Sequence, residues 1–154
     1  MNRTNMIFST LIAMGISFAA LSGAPAAMAE TPANISVEVE GIETKTGNLM
    51  IALFKGEAAW KNSEAYSGIA TAADANSVTA LFEGIEPGEY GIRMYQDVNA
   101  DGELNTGMFR IPTEPYGFSN DAPVRFGPPA WEDARFTVSE NDQTMTINLT
   151  RAGR

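Results

Sequence analysis

The 154-residue chain contains no cysteine and no histidine. The first absence excludes disulfides and thiolate metal ligands. The second removes histidine-based catalytic triads, imidazole zinc sites and histidine-ligated haem. No glycine-rich phosphate loop stands between a strand and a helix. Basic residues are scarce: 10 Lys and Arg face 19 Asp and Glu, for a net charge of −9. A chain of that sign repels phosphate backbones and anionic lipid, so nucleic acid is excluded as a partner.

What is present begins with an export pattern. Arg3 supplies a positive start, and Met6 to Leu21 form an apolar run interrupted by Ser9, Thr10, Gly15 and Ser17. Pro25 breaks the helix, and Ala27-Met28-Ala29 offers the small-x-small pattern of signal peptidase. The expectation is a signal peptide over residues 1–29, a processed chain starting at Glu30, and export to the periplasm or the extracellular space. The apolar run is shorter than the roughly 20 residues of a spanning helix. Without a twin-arginine pair or a cysteine, the general secretory route is expected and a lipoprotein anchor is excluded. Nothing later in the sequence reaches transmembrane length, and residues 30–154 have the size of a single domain.

The pattern after Glu30 has period two. Ile35, Val37 and Val39 alternate with Ser36, Glu38 and Glu40, the code of a half-buried strand. Leu49 to Phe54 is a continuous apolar run, predicting a strand with both faces covered. Residues 56–62 predict a helical turn that lays Trp60 over a sheet. Ser67–Ala72 is a weaker strand. Val78, Ala80 and Phe82 alternate again before Glu86-Pro87-Gly88, a type II turn sequence. Tyr90, Ile92 and Met94, then Ala134, Phe136 and Val138, then Met145, Ile147 and Leu149 give the remaining stripes. About seven antiparallel strands predict an all-β sandwich of immunoglobulin-like or transthyretin-like kind, with Phe82, Ile92, Phe136 and Ile147 in its core. Residues 98–132 lack a strand pattern, and irregular stretches of that length are usually functional or ion-organised.

Three groups of residues there carry chemistry. Asp97, Asn99, Asp101 and Asn105 place oxygens at positions 1, 3, 5 and 9 of an EF-hand-type loop, with Gly102 at position 6 and the Glu103 carbonyl at position 7. Calcium is the candidate ion. Met108 stands where the bidentate glutamate belongs, so Glu114 or Asp121 would have to complete the shell; the alternative is a polar turn whose side chains satisfy their own backbone. Tyr116, Phe118, Arg125, Phe126 and Trp131, set among prolines and glycines, form either a stacking platform for a ligand or a hydrophobic lid over the Leu49–Phe54 strand. Last, Glu114, Asp121, Glu132 and Asp133 are the carboxylates from which an acid–base pair could be drawn.

Several segments together resemble one family. Gly47-Asn48-Leu49-Met50-Ile51-Ala52-Leu53-Phe54, Pro87-Gly88-Glu89-Tyr90, and above all Glu114-Pro115-Tyr116-Gly117-Phe118-Ser119-Asn120 with Phe126-Gly127-Pro128-Pro129 are similar to domain of unknown function 2141. The resemblance implies an exported bacterial β-sandwich and assigns no catalytic or binding residue. The expected function is therefore a non-catalytic envelope or extracellular binding module using the 98–131 segment. The alternative is a structural or assembly protein pairing through sheet edges. A carboxylate-dependent hydrolase is a distant third.

Overall fold

The computed structural model describes residues 31–125 and 127–153. The expected signal peptide, the Glu30 start and Phe126 lie outside the described residues. The chain runs β1 (Ala33–Glu40), β2 (Asn48–Lys55), α1 (Gly56–Asn62), β3 (Ser67–Ala72), β4 (Val78–Ile85), β5 (Gly88–Asp97), β6 (Tyr116–Phe118), α2 (Trp131–Ala134), β7 (Phe136–Val138) and β8 (Gln143–Asn148).

These strands form two sheets. One has the order β4-β1-β8, the other β3-β2-β5-β6, and β7 pairs β5. β6 pairs residues 93–95 and β7 residues 88–90 of β5, so the two follow one another along the edge opposite β2. The alternating residues read from the sequence point where expected. Ile35, Val37 and Val39 from one sheet meet Leu49, Ile51, Leu53, Tyr90, Ile92 and Met94 from the other in one buried core. Fully burying a side chain such as Leu or Ile contributes about 1.5–3 kcal/mol, so this layer dominates stability. Phe82, Ile92 and Ile147 are buried, and Phe136 packs against the same core half-buried.

Two expectations are corrected. The strands are not all antiparallel: β1 pairs β8 in parallel, from Ile35 opposite Gln143 to Glu40 opposite Asn148. Alternation fixes which face a residue occupies and carries no information on strand direction. The described residues also hold eight strands, because Tyr116–Phe118 inside the irregular stretch adds to β5. Three residues following a proline are too few to show a period. At the other end of that stretch Ala134 closes α2, and the following strand starts only at Phe136.

Candidate functional site

The site lies on the outer face of the five-stranded sheet. β2 turns Met50, Ala52 and Phe54 away from the core, and β5 places Tyr95, Arg93 and Gly91 directly opposite them. At the Phe54–Gly91 end the face is closed. α1 lays Trp60 over it, as expected, with the indole 5.6 Å from the Phe54 ring and 5.9 Å from Trp131 on α2. A Cβ on residue 91 would sit 2.9 Å from Trp60 Cζ3 and 3.0 Å from Trp131 Cζ3, so the missing side chain is what lets both indoles reach the sheet. Trp60 Nε1 donates to the Pro129 carbonyl at 3.1 Å. Ser119, fully buried, accepts from the Ile92 N–H at 2.9 Å and donates to the Ala134 carbonyl at 2.5 Å, tying α2 to β5.

Beyond the two tryptophans the face stays open. A cleft of about 780 Å³ runs over Met50, Ala52 and Ala70, walled by Tyr95, Tyr116 and Phe118 and reaching Leu104 and Pro128. The sequence expectation that both faces of β2 are covered thus holds at Phe54 and fails at Met50 and Ala52, which are half-buried. Among the described residues Arg93 is the one charged side chain lining this cleft. Its guanidinium lies 4.0 Å from the Trp60 ring centroid and 4.8 Å from that of Phe54. It donates to Ser63 Oγ at 3.0 Å and to the Trp60 carbonyl, and Nε is buried without a partner. Burial holds the Arg93 pKa below its ordinary value.

The 97–105 loop borders the cleft through Leu104 and is closed by its own hydrogen bonds. Asp97, buried, accepts the Asp101 N–H at 3.1 Å and the Gly102 N–H at 2.9 Å. Asp101 Oδ1 accepts the Glu103 N–H at 3.0 Å, and Oδ2 accepts from Asn99 and Asn105 Nδ2 at 2.8 and 2.9 Å. These bonds, led by that from Asn105, lower the Asp101 pKa. Gly102 takes φ +84°, the left-handed region that favours glycine. Glu114, also buried, accepts the Val98 and Asn105 N–H groups at 2.8 and 2.9 Å. Five residues expected as a calcium set are thus brought together, with Glu114 beneath them, in the arrangement of an Asx-rich turn. Among the described residues no three His, Cys, Asp or Glu side chains gather into a metal-binding group.

The expected ligand set divides. Tyr116 and Phe118 wall the cleft, Trp131 belongs to the buried lid, and Arg125 is exposed on the loop outside the cleft lining. Lid and platform are therefore two halves of one face. The four carboxylates weighed for catalysis disperse. Glu114 holds the loop, Asp121 accepts the Asn148 backbone N–H at 2.8 Å and its Nδ2 at 2.6 Å, and Glu132 and Asp133 are exposed on α2. Sequence reasoning missed Arg93, whose signal was its phase: it sits among the outward residues of β5 opposite an outward apolar row on β2. It also missed Phe109, 89% exposed beside Met108 at φ +59°.

A family model described as an uncharacterized protein conserved in bacteria, domain of unknown function 2141, matches residues 37–146. The chain belongs to this family. The match runs from within β1 to within β8 and contains the whole cleft and the 97–105 loop. No curated protein matches the chain. A fimbrial assembly protein from Parabacteroides distasonis ATCC 8503 superposes at a TM-score of 0.44 and 11% identity, over 79% of this chain and 54% of that one. The chain thus spans about half the length of that protein, and a likeness of this size carries no functional argument. Among the described residues no helix is long and apolar enough to cross a membrane.

Proposed function

We propose that the protein is an exported, non-catalytic binding module built on an immunoglobulin-like or transthyretin-like β-sandwich, and that its ligand lies in the open half of the outer sheet face. The observation that carries this reading is the cleft itself. Its apolar floor is left uncovered although an adjoining lid covers the rest of the same face. Exposed, contiguous apolar surface on a small domain marks a binding site more often than chance packing does. The volume of about 780 Å³ falls among ordinary ligand pockets. The test uses a neutral, environment-sensitive dye. Nile red should bind the native domain at one site, and Ala70→Trp, which fills the floor, should abolish binding while leaving the unfolding midpoint unchanged. Native protein that fails to bind the dye would refute the reading. Export is tested by sequencing the N-terminus of protein from the periplasm or medium, with Glu30 expected first.

One observation favours a second reading, assembly through strand pairing. β3 pairs only β2 among the described strands, and its Ser-Gly-Ile-Ala-Thr-Ala sequence has neither the charge nor the proline that usually protects an edge. Sedimentation over a wide concentration range tests self-pairing at this edge. A monomer throughout would oppose it.

A further inference from the structure

We infer that the cleft recognises a singly charged carboxylate carrying an apolar body, with the carboxylate held by Arg93 and the body laid over Met50, Ala70 and Tyr95. This rests on the binding reading above and adds the chemistry of the ligand. A guanidinium has five N–H donors in a planar fork, suited to bidentate recognition of carboxylate. Arg93 donates to Ser63 Oγ and to the Trp60 carbonyl, both neutral acceptors. Nε has none. Among the described residues no carboxylate forms an ion pair with it, in a chain with 19 acidic residues.

The cation instead lies in the corner between the nearly perpendicular rings of Phe54 and Trp60, which remove water from around it. A partly desolvated cation without a counter-charge is costly, and an incoming anion relieves that cost. The choice of a monoanion follows from the whole molecule. A net charge of −9 repels phosphate dianions and acidic polymers, whereas one carboxylate meets Arg93 within a lining that is otherwise uncharged. The indole of Trp60, stacked on the same guanidinium, supplies an optical reporter.

The experiment compares two acids with their alcohols, decanoate against decanol and 4-phenylbutyrate against 4-phenylbutanol, each titrated below its aggregation limit and followed by tryptophan fluorescence and calorimetry. At least one acid should bind tenfold or more tighter than its alcohol, with weaker binding as salt rises. Arg93→Gln should bring the ratio of acid to alcohol affinity close to one. Equal binding of acid and alcohol to the unaltered protein would overturn the carboxylate assignment and leave the cleft as a neutral binding site. Absence of binding by all four compounds would overturn it too. If Nile red still binds in that case, the general binding reading survives. Because the acid–alcohol comparison needs no variant, it decides the matter even if Arg93→Gln unfolds.

Discussion

The two halves of the outer sheet face are built from the same strands and finished in opposite ways. At Gly91 a position without a side chain admits two indoles, and the half closes into a small second core with Phe54, Ala122 and Ala134. Further along β2, past Ala52 at the lid's margin, the cleft opens over the half-buried Met50. The loops that frame the halves differ in kind as well. The Trp131 segment is held by burial with hydrogen bonds from Trp60 and Ser119, whereas the 97–105 loop is held by carboxylates accepting backbone N–H groups. Half of the face can thus be left open without unsettling the domain, because the inner core and the indole lid carry the stability.

That division makes a graded set of expectations. Substitutions in the inner core, which both halves share, should cost most: Ile92→Ala and Ile147→Ala are each expected to lose about 2–5 kcal/mol in urea unfolding. A loss below about 1 kcal/mol at both would mean that the outer layers carry more than supposed. Gly91→Ala should come next, at about 1–3 kcal/mol, since its methyl displaces both rings. Near-ultraviolet circular dichroism and a red-shifted tryptophan emission would report the opened lid. Asp97→Ala should cost about 1–2 kcal/mol by releasing the Asp101 and Gly102 N–H groups. Measured in EDTA, that loss isolates the hydrogen bonds, and extra stability in millimolar calcium that the substitution removes would report a bound ion.

The smallest effect is acid dependence of the loop. Asp101 has a folded pKa below its unfolded value, first through Asn105, then through the Glu103 N–H and Asn99. Its contribution is therefore fully present above the unfolded aspartate value of about 3.9 and is lost as pH falls through the folded value. Thermal unfolding followed from about pH 5 to about pH 2 should show a shallower acid limb for Asp101→Asn than for the native chain. Glu86 and Glu89 are lowered too, by Lys55 and by Thr137 with Arg135, so part of the limb persists in the variant.

Most of the inward-facing residues were legible in the sequence, because period-two alternation reports burial directly. Ile35, Val37 and Val39, and Tyr90, Ile92 and Met94, all occupy the core they predict. Trp60 was legible as well, as an aromatic on a short helical turn after a strand. Strand direction at β8 was not, since a parallel and an antiparallel neighbour demand the same alternation. The cleft was half legible. Tyr116 and Phe118 stood out by composition, but the apolar outward row of β2 read as a covered face, and only three-dimensional packing distinguishes covered from open. Arg93 was overlooked because a single arginine on the outward phase of a strand looks like any solvated charge. Its meaning comes from Trp60, a residue 33 positions away that stacks on it.

The parallel pairing of β1 with β8 has a consequence for how the domain is made. Among the described strands, the first finds one of its two neighbours only in the last, so the three-stranded sheet cannot be completed until the segment around Asn148 has left the ribosome. Until then β1 has only β4 beside it, one side of its backbone is unsatisfied, and Ile147 is missing from the core. Contacts between such distant parts of a chain also close slowly. Completion of the three-stranded sheet is therefore a late event in the folding of this chain.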